Sequence, residues 1–207
     1  MSDDQTEFTS ILTQLFEHSD ILINKLIPDL LQSMQNTPLI VDTIYPTDVL
    51  IDRAIAIINA WDADSQAQFI IAHPRIGEVK QLSALSAKEQ SGGLSATTRV
   101  ETPPEVLVRL EHLNACYEHV YSGLRYITFV NGRSRAAVAE EMEDKLQLGH
   151  PLETYPDGPL LNEPAVESLR CVAQGSEEWS NELQRAVDDI GRIAKSRQKT
   201  VLSSTIA

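Results

Sequence analysis

A histidine at a helix end, followed at short range by a carboxylate, is a ready-made acid/base pair. This chain has one in residues 70–94, IIAHPRIGEVKQLSALSAKEQSGGL. The apolar run Ile70-Ile71-Ala72 stops at His73-Pro74, and proline disfavours the α conformation in the residue before it, so His73 is expected at or just past a helix end. An imidazole titrates near neutral pH, and Glu89 lies close behind in Ser86-Ala87-Lys88-Glu89-Gln90, before the glycine pair Gly92-Gly93. A histidine before proline is also an ordinary loop residue, so this stretch needs support from the rest of the chain. Arginines could add a site for a small anion, and Arg75, Arg99, Arg125, Arg133 and Arg197 are the candidates; spacing does not choose among them.

Other chemistries find less to work with. His112, Cys116 and His119 share a helical face and look like a ligand set, but no fourth ligand is evident, and half-buried polar residues are the simpler reading. No metal is expected. The nucleophile elbow G-x-S-x-G, the dinucleotide fingerprint and the phosphate loop are all missing. Acidic pairs such as Glu140-Glu141 and Asp188-Asp189 read as solvated helix faces.

The elements that must position these residues read as helices. Phe8, Ile11, Leu12, Leu15 and Phe16 mark one over 5–18. Ser19 or Asp20 caps a second, which Pro28 should kink or split, and Thr47-Asp48 opens a third. A fourth over about 65–72 delivers His73, and 82–91 suits a short helix. Pro104 starts a long helix to Tyr121 with Leu107, Leu110, Leu113, Asn114, Tyr117 and Tyr121 inside; Gly123 breaks it. Residues 124–130 have strand propensity but no pairing partner, and are expected as a buried extended or helical connector. Ser134 caps a helix over 135–147, and the proline-rich 149–164 stretch is a surface loop or insertion. A last helix runs over about 165–198, broken near Gly175. The fold class is all-α, a single-domain helical bundle over 1–207.

The 207 residues carry a net charge of −13, which speaks against nucleic acid or an anionic membrane as partner. A short-range arginine can still hold a small carboxylate. No apolar run is long enough to span a bilayer. Two cysteines make no disulfide framework and are expected as reduced thiols. The acidic start has no secretory pattern, so a cytoplasmic location is expected; a peroxisomal one stays open, although the C-terminus lacks a Ser-Lys-Leu-type signal.

Six segments, in order, resemble the 2-oxo-4-hydroxy-4-carboxy-5-ureidoimidazoline (OHCU) decarboxylases of urate degradation. They are Phe16-Glu17-His18-Ser19, AHPRIG at 72–77, LSALSAKEQSGGL at 82–94, Leu113-Asn114-x-x-Tyr117 with 122–127, Val130-Asn131-Gly132-Arg133-Ser134, and Ile193-Ala194-Lys195-Ser196-Arg197. The resemblance implies a cofactor-free homodimer that decarboxylates OHCU to S-allantoin. It implies His73, Glu89 and Arg197 as catalytic residues. Pro74, Ser86, Ala87, Lys88, Gln90, Tyr126, Ile127, Thr128, Phe129 and Val130 are implied as substrate-binding. The chain departs from the pattern in a shorter 73–86 link, a longer segment around 99–105, the extra 149–164 loop, Arg125 in place of proline and Ser196 in place of leucine. These leave two alternatives: a paralogue acting on another small ureido or imidazoline acid, and a non-catalytic helical dimerisation protein.

Overall fold

Helix α1, Asp3–Phe16, stops where Glu17 takes a left-handed backbone with φ 64°. Leu12, Leu15 and Phe16 are fully buried from it, and Ser19 Oγ then accepts from the Leu22 amide, starting the next helix as its sequence suggests. The helix is divided next to Pro28. Residues Leu22–Leu26 widen into a π turn, with the Ile27 amide bonding back to the Leu22 carbonyl, and α2 continues over Ile27–Asn36. A π turn lets the backbone absorb a position that has no N–H without leaving the helix. The computed structural model describes residues 3–36, 48–78, 102–150 and 161–205; the expected helix at 82–91 lies outside them.

Helix α3 spans Asp48–Asn59 and α4 spans Ala63–Ile71. The turn between them is built from side chains. Gln66 Nε2 donates to the Ile58, Asn59 and Trp61 carbonyls, closing the end of α3. Asp62 caps α4 by accepting from the Ser65 amide at 2.8 Å, and these bonds hold its carboxyl down at about 2. Helices α5, Pro104–Val120, and α6, Arg135–Leu146, follow, with Ser134 Oγ capping α6 through the Ala137 amide. Helix α7 is Glu177–Thr205.

The all-α expectation holds, with seven α-helices and no strand among the described residues. The final helix is a correction, because it starts twelve residues later than the expected 165. Only Val166–Ser168 forms a 3₁₀ turn, Leu169 is extended, and Gly175 has φ 78°. Ser176 then accepts from the Trp179 amide, so the helix begins at a real cap rather than through a break. Residues 124–130 are neither helix nor strand, as the connector reading has it.

The chain packs as two compact units, Met1–His73 with Ser180–Ala207, and Pro74–Trp179. In the first, α7 runs antiparallel to α3: Gln184 bonds Asn59, Gly191 meets Ile55, and Lys195 pairs with Asp52 at 2.6 Å. A Cβ on Gly191 would lie 3.2 Å from the Ile55 side chain, so the two helices need a residue this small there.

The second unit holds a buried ion pair that the expected α5 stripe missed. Arg109 and Glu143, each 1% exposed, meet at 2.6 Å, while Leu107 is only half-buried. Arg109 Nη1 donates to the Leu161 and Glu163 carbonyls, and the other Glu143 oxygen meets His150 Nδ1 at 2.8 Å. The pair thus ties both described ends of the 149–164 stretch to α5 and α6. Its hydrogen bond to Glu143, helped by the charges of Glu143, Asp144 and Glu140, raises the His150 imidazole above its ordinary 6.5. A raised histidine adds stability that is complete below 6.5 and lost as pH climbs through the folded value. The melting temperature of wild type over His150→Gln should therefore be highest in mild acid and shrink on going alkaline, checked by thermal scans across that range.

Candidate active site

Capping of α4 at Asp62 and the stop at Pro74 place His73 just beyond the helix, where its amide closes a last turn on the Ile70 carbonyl at 3.0 Å. The imidazole is 4% exposed. Its Nδ1 lies 3.0 Å from the Phe69 carbonyl oxygen. A carbonyl has no proton to give, so Nδ1 carries the hydrogen and donates it. In the neutral ring Nε2 is then the basic nitrogen. Phe69 also packs edge-on against the ring, with centroids 5.3 Å apart.

The same unit brings a second sequence candidate into this packing. Arg197, 3% exposed on α7, meets Glu17 at 2.8 Å and donates to the Leu15 and Gln14 carbonyls at 3.3 and 3.4 Å. These carbonyls close α1, where the helix dipole is negative, so a cation is favoured there. Phe16, next to Glu17, packs on Phe69 at 6.1 Å, and Phe69 packs on His73. One run of contacts therefore links Arg197 to His73 through Glu17, Phe16 and Phe69.

Glu17 is the residue that sequence reasoning passed over. Left-handed backbone at a helix end usually belongs to glycine, and a glutamate there gives up roughly 1 kcal/mol of local stability. The buried arginine is the compensating partner. The signal for Glu17 lies in Phe16-Glu17-His18-Ser19, one of the segments that carry the family resemblance.

In the second unit, the residues after His73 are fixed to α5. Asn114 Nδ2 donates to the Ile76 carbonyl at 2.9 Å, and Gly77, at φ 86°, lies with its Cβ position 3.1 Å from Leu110. Arg75 makes a two-pronged pair with Glu118 at 2.7 and 2.8 Å, which keeps it firmly charged. Arg125 reaches the same Glu118 at 3.7 Å; burial, then the Arg75 charge, lowers its guanidinium from the usual value. Tyr117 stacks edge-on with Tyr126 at 5.2 Å. Asn114 and Tyr117, from the L-N-x-x-Y segment, thus hold the segment after Pro74 and the one from Tyr126 respectively. Tyr126, Ile127 and Val130 are buried and Pro74, Thr128 and Phe129 half-buried.

Arg133 turns back on residues 128–130 and pairs with Glu141, so Glu141 is a bonded partner and not simply part of a solvated face. Ser86, Ala87, Lys88, Glu89, Gln90 and Arg99 lie outside the described residues.

In the His112, Cys116 and His119 set the two histidines bond to backbone, and Cys116 Sγ lies 3.3 Å from His112 Nε2. His112 Nε2 donates to the Pro164 carbonyl at 3.0 Å and His119 Nε2 to the Leu169 carbonyl at 3.2 Å, so neither nitrogen offers a lone pair. Burial raises the Cys116 thiol, favouring its protonated form, and Cys171 is also a free thiol. No group of three or more metal-binding side chains forms among the described residues. An open surface groove of about 310 Å³ is lined by Asp29, Gln32, Ser33, Ile57, Ala60 and Trp61, none of them a site candidate. No helix among the described residues is long and apolar enough to cross a membrane.

No curated protein and no solved structure matches the chain. Residues 2–154 match the family model described as OHCU decarboxylase, a span that includes His73, Pro74, Glu89 and Tyr126–Val130 and ends before Arg197. That span is most of the chain, and the protein belongs to the OHCU decarboxylase family, whose members are carboxy-lyases.

Proposed function

We propose that this chain decarboxylates OHCU to S-allantoin without a metal or organic cofactor, using His73, Glu89 and Arg197. The observation that carries the reading is His73 itself: a nearly buried imidazole within the family match, fixed at a helix end with Nδ1–H donated to the Phe69 carbonyl.

In the reaction the bond between the ring carbon and the carboxylate breaks, carbon dioxide leaves, and the electron pair spreads into the unsaturated ring system. As the hydroxyl-bearing carbon gives up its hydroxyl proton and becomes a carbonyl, a proton adds to the neighbouring ring carbon that bears the ureido group. His73 Nε2 hydrogen-bonds the substrate hydroxyl or carboxylate and manages the proton. Glu89 orients His73 or sets its charge state. Arg197 stabilises the negative charge on the carboxylate or on the ring oxygens as it develops. Gln90 and the groups of Tyr126–Val130 hold the ureido and ring amides, with Pro74, Ser86, Ala87 and Lys88 in contact with the substrate. Protonation from one face yields a single enantiomer.

The two units are read as one OHCU decarboxylase-like domain, since family-like segments occur in both, and the active protein as a cytoplasmic homodimer. Purified protein supplied with freshly generated OHCU should speed the loss of its absorbance and give optically active allantoin. Turnover of another ureido acid with OHCU left untouched would replace this substrate.

A further inference from the structure

We propose that Glu141 and Arg133 form a positioning bracket that sets the shape of the substrate-facing segment 126–130. The proposal rests on the reading that this segment faces substrate.

The segment belongs to no helix or strand, so side chains must do what a backbone ladder does elsewhere. Asn131 and Gly132 take successive left-handed conformations, φ 48° and 79°, and the Arg133 amide closes the turn on the Val130 carbonyl at 3.0 Å. That turn folds the Arg133 side chain back along the segment it follows. Its Nε donates to the Val130 carbonyl at 3.0 Å, and Nη2 donates to the Phe129 carbonyl at 2.8 Å and to Thr128 Oγ1 at 2.9 Å. Nη1 pairs with one Glu141 oxygen.

The other Glu141 oxygen accepts from the Tyr126 hydroxyl at 2.6 Å and from the Thr128 hydroxyl at 2.9 Å. Tyr126 and Thr128 are two apart in the chain, and both hydroxyls meet the same carboxylate oxygen. Glu141 itself stands on α6, a helix capped by Ser134 directly after the turn. Four of the five residues of the segment are thus tied to one ion pair on a regular element.

This arrangement has a consequence for recognition. The Tyr126 and Thr128 hydroxyl protons point to Glu141, and the Phe129 and Val130 carbonyls are taken by Arg133. Substrate contact from this segment therefore falls to its main chain and ring faces, not to its hydroxyls. A loop of this kind recognises a ligand only in one backbone shape, and the bracket supplies that shape in advance.

Glu141→Ala in the full chain tests this. Catalytic efficiency on freshly generated OHCU should fall by about a hundredfold, carried by KM with kcat little changed, because the ordering of the segment must then come from binding. Amide hydrogen exchange in 126–132 should accelerate while α3 and α7 keep their rates. Tyr126→Phe with Thr128→Val removes both hydroxyl donors at nearly constant shape, should move the same two readouts in the same direction, and serves where Glu141→Ala folds poorly. Wild-type kinetics in both variants, or faster exchange spread evenly over all helices, would overturn the bracket. If the wild-type protein ignores OHCU, the proposed function fails, and exchange confined to 126–132 still decides the bracket.

Discussion

Alanine at residue 73 is expected to lower kcat/KM on OHCU by about a thousandfold, the usual scale for a positioned acid/base group. Folding should survive. The imidazole's structural work includes a donated hydrogen bond to the Phe69 carbonyl and an edge contact with the Phe69 ring. Their loss costs about 1–3 kcal/mol, within reach of a domain this size. Asparagine at 73 separates the two roles, because its amide offers a donor for the Phe69 carbonyl and no group that titrates near neutrality. Stability should recover in His73→Asn and turnover should not. Thermal melts beside steady-state kinetics check both, and full activity in either variant places the chemistry elsewhere.

Arg197→Met should act on stability and activity together. Removing the guanidinium leaves Glu17, largely buried at the close of α1, without its ion-pair partner, at a cost of about 3 kcal/mol. Turnover should drop by at least about a hundredfold, the scale for losing a donor aimed at developing charge. Arg197→Lys keeps the charge but replaces a planar fork by a single ammonium, so it should restore part of the stability and little of the rate. A double-mutant cycle with Glu17→Gln reads the coupling, expected at above about 1 kcal/mol in urea unfolding. Wild-type turnover in Arg197→Lys would remove Arg197 from the site. This test matters because Arg197 lies past residue 154, where the family match ends.

The caps and stops were the readable part of the fold. Ser19, Ser134 and the His73-Pro74 junction act where the sequence puts them, since each works through backbone groups two to four residues away. The last helix was misread for a related reason. Val166, Leu169 and Val172 continue the helical spacing of Leu183, Val187 and Ile190, but spacing alone does not count hydrogen bonds. The Val172 amide goes to the Val120 carbonyl and the His119 ring to the Leu169 carbonyl, so this stretch is anchored to α5 instead of coiling.

Charged residues show the limit most plainly. By spacing, five arginines are equal candidates, Glu141 reads as part of a solvated face, and nothing local singles out Arg109, Glu118 or Glu143. The partners are 180 positions apart for Arg197 and Glu17, and 34 apart for Arg109 and Glu143. Such pairings depend on which helix faces meet, a long-range property that no local pattern encodes.

By itself the sequence determined the helical class, the family and the imidazole at a helix end, because periodicity, proline geometry and ordered short motifs are local. Tertiary structure alone decided which His73 nitrogen carries the hydrogen, which carboxylates Arg75, Arg125 and Arg133 meet, and that a strained glutamate at the end of α1 holds Arg197. The reason is burial. A charge or a polar hydrogen taken from water must find a partner, and only the packed chain says which one is within reach.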